Sequence, residues 1–110
     1  MDHEELLIKD YEMWELYLHK EQYPYIGRCY AWAKDPESDF LTKMSQLERG
    51  ELFETVIPSW DEAISYLYEY HRPNLAIFGN TSPHLHVHLI PRYNSPKIFH
   101  EIEFIDPNPR

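Results

Sequence analysis

The chain has 110 residues, 43% of them hydrophobic and 15% aromatic, with a formal net charge of −9 at pH 7. This length predicts one domain over residues 1–110 whose core needs no disulfide framework, and Cys29 is the only cysteine. The acidic balance argues against non-specific nucleic-acid binding. The lack of a membrane-spanning apolar run and of a signal-peptide pattern predicts a cytoplasmic protein that does not enter membranes.

Two strands are predicted in the first third of the chain. Residues 1–13 show no sustained period. Residues 14–20 alternate between apolar and polar side chains, and residues 28–33 read as a second strand. The turn signals between them, including Pro24, predict an antiparallel hairpin.

One long helix is predicted in the middle of the chain. Ser45 and Glu48 have the spacing of a capping box, with a hydroxyl at the N-cap and a carboxylate three residues later. Apolar residues then recur at helical spacing and predict one buried stripe: Leu52, Phe53, Val56, Ile57, Trp60, Ile64 and Leu67. Pro58 falls inside this stripe, so we expect one kinked helix or two helices meeting there, ending at residues 71–73. The acidic residues of this region are expected to solvate its outer face: Glu48, Glu51, Glu54, Asp61 and Glu62.

Three more strands are predicted in the C-terminal half. They cover residues 74–78, 84–92 and 98–104, and residues 106–109 read as a tail. Five strands, with one long helix between the second and third, predict an α+β fold built on one antiparallel sheet.

The most informative stretch is residues 84–92, with the sequence HLHVHLIPR, in which imidazole and aliphatic side chains alternate. This is the two-residue period of a β-strand, so His84, His86 and His88 are expected on one face and the aliphatic residues in the core. A row of histidines repels itself once protonated, so a purely structural role is the less favoured interpretation.

Two chemistries fit three histidines on one face. Residues two apart along a strand are separated by ~6.7 Å, so two of the three could chelate zinc, with a third ligand such as His19, His100 or a carboxylate from elsewhere. Alternatively, a neutral imidazole is a good nucleophile toward phosphorus when an acceptor holds its other nitrogen. His86 is then the natural nucleophile, because it alone has a histidine neighbour on both sides.

The stretch HLHVHLI at residues 84–90 resembles the signature of the histidine triad superfamily, in which histidines alternate with apolar residues. Residues 90–93 (IPRY), together with Gly79 and Asn80, are similar to its small prokaryotic members, often described as diadenosine tetraphosphate hydrolase-like. The order of hairpin, long helix and two strands matches over most of residues 14–105.

The resemblance implies an α+β fold, commonly a homodimer, that binds a nucleotide and acts on its α-phosphate as a hydrolase or nucleotidyl transferase. Dinucleoside polyphosphates and nucleoside phosphoramidates are the implied substrates. His86 would attack phosphorus and form a nucleotidyl-histidine intermediate, without a metal or cofactor. His84 and His88 would orient the nucleophile and contact phosphate, while Asn80 and Thr81 would contact phosphate or assist the leaving group.

Arg28 stands where many members of the superfamily carry a further histidine, in a Pro-Gly-His sequence. An arginine there could bind phosphate but cannot act as a general base. This departure keeps two alternatives open: a nucleotide-binding protein without efficient turnover, and a zinc protein that uses two of the three histidines. Trp14 is the candidate to stack on the base, because the hairpin forms the base pocket in the family. Arg92, just past the strand end, is expected to make a structural ion pair.

Overall fold

The structure, a computed structural model, describes residues 6–108. Its strands are β1 (Leu7–Asp10), β2 (Trp14–Leu18), β3 (Cys29–Ala33), β4 (Arg72–Ala76), β5 (His86–Arg92), β6 (Lys97–Phe99) and β7 (Ile102–Phe104). The first five form one antiparallel sheet in the order β1-β2-β3-β5-β4, and β6 pairs with β7 separately. The predicted α+β fold with a five-stranded antiparallel sheet is confirmed.

The membership of that sheet differs in part from the prediction. The β2–β3 hairpin is confirmed, with Trp14 opposite Ala33, and β4 lies two residues earlier than the predicted strand at residues 74–78. The prediction that residues 98–104 complete the sheet is wrong, because they form the separate β6–β7 hairpin. The fifth strand is β1, all of whose residues are exposed. An edge strand without a buried side leaves no alternating apolar pattern in the sequence.

The helical region begins at the predicted capping box, in which Ser45 Oγ accepts from the Glu48 N–H at 3.1 Å and Glu48 Oε1 accepts from the Ser45 N–H at 2.8 Å. It consists of α1 (Gln46–Glu51), a π-helical turn (Leu52–Val56) and α2 (Ile57–Tyr68). Pro58, in the first turn of α2, has no N–H to donate to the preceding turn. The interruption expected near Pro58 is therefore present as the π-helical turn directly before it. Glu69, left-handed with φ 52°, caps the end of α2.

The helical region packs against one face of the sheet. Its buried residues join those of the strands in one core cluster: Trp14, Leu16, Cys29, Ala31, Ala33, Met44, Leu52, Val56, Trp60, Ile64, Leu85, Val87 and Leu89. Phe53 and Leu67 are 56% and 60% exposed, so the prediction that they bury is wrong. Phe53 lies in the π-helical turn, whose wider geometry rotates it out of the stripe. Within residues 6–108 no helix has the length and apolar character needed to cross a membrane.

Two carboxylates of α1 hold the helix against neighbouring segments, so the prediction that they are solvated is wrong. Glu48 is buried, and its Oε2 accepts from the Ser38 hydroxyl at 2.5 Å. Glu51 Oε1 accepts from the backbone N–H groups of Met13 and Trp14, at 2.7 and 3.2 Å. These bonds fix the start of the helical region relative to β2.

The C-terminal segment is tied to the end of β5. Arg92 makes the predicted structural ion pair, since its Nε and Nη2 donate to the Asp106 carboxylate at 2.6 and 2.7 Å. Asp106 is buried and also accepts from the Tyr93 N–H at 3.2 Å. The prediction of a tail is therefore wrong for Asp106, and Pro109, which completed that tail, lies outside the described residues.

Candidate active site

The predicted alternation along β5 is confirmed by burial. The aliphatic residues are at most 1% exposed and lie in the core: Leu85, Val87 and Leu89. His86 and His88 on β5, and His84 just before it, are partly exposed on the opposite side of the sheet. This surface, defined by His84, His86 and His88, is referred to below as the histidine face.

Trp32 of β3 lies directly beside the histidines. It pairs with His86 in the β3–β5 register. Its ring stacks on His84, with a centroid separation of 4.4 Å and an interplanar angle of 22°, and on His86, at 5.5 Å and 29°. One indole therefore restricts the orientation of two of the three imidazoles.

The His86 ring has a defined tautomer when neutral. Its Nδ1 lies 2.7 Å from the backbone carbonyl oxygen of His84. A carbonyl oxygen only accepts, so Nδ1 carries the proton and donates it, and Nε2 keeps its lone pair. His86 therefore presents an unprotonated nitrogen while its other nitrogen is held.

The His84 side chain was expected to orient His86, but its ring is hydrogen-bonded to another strand. Its Nε2 lies 2.6 Å from the carbonyl oxygen of Ala33, to which it donates. The contact that orients His86 comes from the His84 backbone, and the His84 ring is fixed to the end of β3. Its Nδ1 is the ring nitrogen that this bond leaves available.

His88 is kept uncharged at neutral pH. Its pKa is lowered to about 4, chiefly by burial and further by the neighbouring charges of His86, Arg28 and His19, which together account for this value. Its ring meets the His86 ring edge to face, with centroids 5.1 Å apart. His88 Nδ1 is buried and has no hydrogen-bond partner among residues 6–108.

A cleft of about 290 Å³ opens beside His86 and His88. The loop that follows β4 supplies the rest of its lining: Phe78, Gly79, Asn80, Thr81 and Ser82. The structure thus brings Asn80 and Thr81 to the same cavity as two of the three histidines. Hydroxyl and amide side chains next to imidazoles form a polar wall suited to phosphate oxygens.

Arg28 directly precedes β3 and is not one of the residues that line this cleft. It precedes Cys29 and shares the side-chain parity of Tyr30, which pairs with His88. Its charge lowers the pKa of both His19 and His88. Arg28 is therefore a neighbour of His88 on the histidine face, and its assignment as a phosphate-binding residue stays a prediction.

Trp14 does not line this region, which corrects its choice as the base-stacking residue. It is completely buried in the core between sheet and helix, and its Nε1 donates to the Glu48 carbonyl at 2.9 Å. Trp32 is the tryptophan at the histidine face, and sequence reasoning did not single it out. Its position opposite His86 depends on the pairing of β3 with β5, which no local pattern specifies.

The third ligand that a zinc site would need is not assembled in the described part of the chain. Within residues 6–108 no three histidine, cysteine, aspartate or glutamate side chains converge as metal ligands. The His19 ring lies nearest to the triad, with its centroid 6.1 Å from that of His88. His100, the other histidine considered, lies in the turn between β6 and β7.

Comparisons with known proteins bear on the fold. No protein-family profile matches the chain, and no curated protein matches it in sequence. Among solved structures, a histidine triad protein from Bradyrhizobium japonicum superposes with a TM-score of 0.68 at 19% sequence identity, covering 94% of this chain and 78% of that one. This chain has the histidine triad fold. At this identity the match establishes the fold, and the chemistry rests on the geometry of the site.

Proposed function

We propose that the protein is a nucleotide hydrolase or nucleotidyl transferase that attacks the α-phosphate of its substrate through His86. The observation that carries the proposal is the hydrogen bond from His86 Nδ1 to the His84 carbonyl. It leaves Nε2 as the nucleophilic nitrogen and holds the opposite side of the ring. The histidine triad fold and the polar cleft beside His86 support the same chemistry.

The first step forms a bond between His86 Nε2 and the α-phosphorus. The bond from phosphorus to the leaving group breaks, and the leaving group departs with the electron pair. The ring becomes an imidazolium, and its Nδ1–H bond to a carbonyl oxygen becomes charge-assisted and stronger. Water or another acceptor then attacks phosphorus and loses its proton to solvent, the electron pair of the P–N bond returns to Nε2, and neutral His86 is restored.

The remaining residues have supporting roles in this proposal. His88, uncharged and next to His86, contacts phosphate without repelling the imidazolium that forms. Asn80 and Thr81 bind phosphate oxygens from the loop side of the cleft. His84 orients His86 through its backbone and faces phosphate with its ring, and Arg28 supplies positive charge beyond His88.

The proposed substrates are dinucleoside polyphosphates or nucleoside phosphoramidates, bound by a cytoplasmic homodimer. The cleft, at about 290 Å³, is just below the range of ~300–1,000 Å³ that is usual for small-molecule sites. It is sized for a phosphate and part of the attached sugar, so the base extends toward the surrounding surface. Sedimentation of the purified protein would measure its oligomeric state.

Turnover measured with both substrate classes tests the proposal. Wild-type protein and His86→Ala are incubated with a dinucleoside polyphosphate and with adenosine phosphoramidate, and products are followed by chromatography. His100→Ala is the matched control, because His100 is exposed in the β6–β7 turn. The proposal predicts activity in the wild type and the control and none above background in His86→Ala. Equal turnover by all three proteins contradicts it, and nucleotide binding without any product supports the binding-protein alternative.

A further inference from the structure

Arg28 occupies a defined place on the histidine face. In the β3–β5 register, Trp32 lies opposite His86 and Tyr30 opposite His88. Arg28 is the next residue of the same parity, so it lies one step beyond His88 in the direction away from His86. The backbone fixes this position, since the His19 N–H donates to the Arg28 carbonyl at 3.0 Å.

The guanidinium of Arg28 has no carboxylate to neutralise it in the described part of the chain. The ion pairs among residues 6–108 join Lys34 to Asp10 and Arg92 to Asp106. Arg28 Nε is buried and has no hydrogen-bond partner among those residues. A buried, unpaired donor on a charged group lowers the stability of the fold. The chain has 19 acidic residues and 10 lysines and arginines, so carboxylates that could pair with Arg28 are in excess.

The Arg28 charge acts on two imidazoles, and Glu21, whose backbone N–H donates to His19 Nδ1, is the acidic residue beside one of them. Histidines 19 and 88 are its titratable neighbours, and the pKa of each is lowered by burial and by the Arg28 charge. This end of the histidine face therefore combines a fixed positive charge, an unpaired guanidinium N–H and the unpaired Nδ1 of His88. Such a combination is suited to an anion with several oxygens, to which arginine donates in a forked geometry.

We propose that Arg28 binds a second phosphate, one that belongs to the leaving group, and so makes the site selective for phosphoric anhydrides over phosphoramidates. This inference rests on the proposed attack of His86 on the α-phosphate. The leaving group of an anhydride is itself a phosphate and departs as an anion. A permanent cation one step beyond His88 stabilises the charge that develops on it.

The chemistry of the two leaving groups explains the selectivity. When the P–O bond of an anhydride breaks, the leaving oxygen takes the electron pair and needs positive charge rather than a proton. When the P–N bond of a phosphoramidate breaks, the departing nitrogen must gain a proton to leave as an amine. A guanidinium has no proton to give at physiological pH, so an arginine at this position favours only the first reaction.

Two substrates with one nucleoside test the selectivity. Arg28→Gln is compared with the wild type on diadenosine tetraphosphate and on adenosine phosphoramidate. We expect kcat/KM for the anhydride to fall roughly 10- to 100-fold, the effect of losing a hydrogen bond to a charged group. The phosphoramidate value should change less than about threefold, and Arg28→Lys, which keeps the charge but not the fork, should be intermediate on the anhydride. Lys20→Gln, which removes an exposed positive charge, is the matched control and should behave as the wild type.

A binding measurement separates this inference from the proposed function. Inorganic tripolyphosphate should raise the thermal unfolding temperature of the wild type and of Lys20→Gln but not that of Arg28→Gln. Equal losses on both substrates, or equal protection of Arg28→Gln and wild type by tripolyphosphate, would overturn the inference. Failure of the wild type to turn over either substrate would refute the His86 chemistry, while the tripolyphosphate comparison would still decide whether Arg28 binds phosphate.

Discussion

His86 Nδ1 donates a hydrogen bond to the carbonyl oxygen of His84, two residues earlier in the chain, over 2.7 Å. Alternation along the chain places the imidazoles on one face, and the acceptor of this bond is a backbone group that lies just before β5. The bond settles which nitrogen of His86 is protonated, and the indole of Trp32 limits rotation of the ring. Spacing, tautomer and ring orientation thus follow from one strand and its neighbour β3.

Replacing Trp32 should slow formation of the histidine adduct more than it affects substrate binding. Trp32→Leu removes the ring that stacks on His84 and His86, and also a π-face next to the imidazolium that forms on attack. We expect the single-turnover rate of adduct formation to fall about 3- to 30-fold, the range expected for a cation–π contact. Trp32→Phe, which keeps an aromatic face, should recover most of the rate.

The control for this experiment is Tyr17→Leu. Tyr17 stacks on Tyr30, with centroids 5.2 Å apart, at a position further from His86 in the sheet. The Tyr17→Leu variant should form the adduct at a rate within about twofold of the wild type. If Trp32→Leu and Trp32→Phe are equally slow, or if only KM changes, Trp32 does not position His86.

Stability should depend on pH through His88. Because its folded pKa, about 4, is below the ordinary histidine value of 6.5, the folded state disfavours the charged ring. The stabilisation that comes from a neutral His88 is complete above pH 6.5. It is lost as the pH falls from 6.5 through 4, because the unfolded chain takes up the proton first. Urea unfolding at pH 8, 7, 5.5 and 4.5 should show wild type losing stability relative to His88→Gln only at the two lower values. A constant difference across this range would contradict the burial of a neutral His88.

The Arg92–Asp106 pair should matter far more for stability than the exposed Lys34–Asp10 pair. Asp106 is 4% exposed, so Asp106→Asn leaves the Arg92 charge without its partner and should cost about 3–5 kcal/mol of unfolding free energy. Lys34→Met, in a pair whose side chains are 33% and 59% exposed, should cost under about 1 kcal/mol. Denaturant unfolding at pH 7 measures both unfolding free energies. Similar losses in the two variants would contradict the greater importance of the Arg92–Asp106 pair.

The same pair predicts a second dependence on pH. The hydrogen bond from Arg92 lowers the pKa of Asp106 from 3.8 to about 2. The stabilisation is therefore complete above pH 3.8 and is lost as the pH falls through 2. In Asp106→Asn this part of the acid transition should be absent, which acid titration followed by circular dichroism would show.

Gly27, which precedes Arg28, should not tolerate a side chain. Its φ is +97°, and a Cβ there would lie 3.0 Å from Ile64 Cδ1 and 3.2 Å from Ile64 Cγ2. Gly27→Ala should therefore lower the unfolding free energy by about 1–3 kcal/mol. Gly50→Ala is the matched control, since nothing lies within 4 Å of its added Cβ and alanine is the better helix former by ~0.5–1 kcal/mol. A Gly27→Ala protein as stable as wild type would contradict the strain assigned to this turn.

The parts of this molecule that the sequence predicted are those written in local patterns. The alternation around His86, the Ser45–Glu48 capping box and the β2–β3 hairpin each depend on residues within one or two elements. The position of Trp32 was not predictable in this way, because it depends on pairing β3 with β5, which is far along the chain. Strand β1 was missed since all its residues are exposed. Asp106 was read as part of a tail because its partner, Arg92, lies at the end of another strand.

The most direct test of the account is to locate the covalent intermediate. Wild-type protein would be mixed with a dinucleoside polyphosphate, quenched within milliseconds in alkaline denaturant that preserves a phosphorus–nitrogen bond, digested and mapped by mass spectrometry. The account predicts one nucleoside monophosphate group, attached to His86, appearing before product and disappearing as product accumulates. A modification on His84 or His88 instead, or rapid turnover with no modified histidine at any time point, would contradict it.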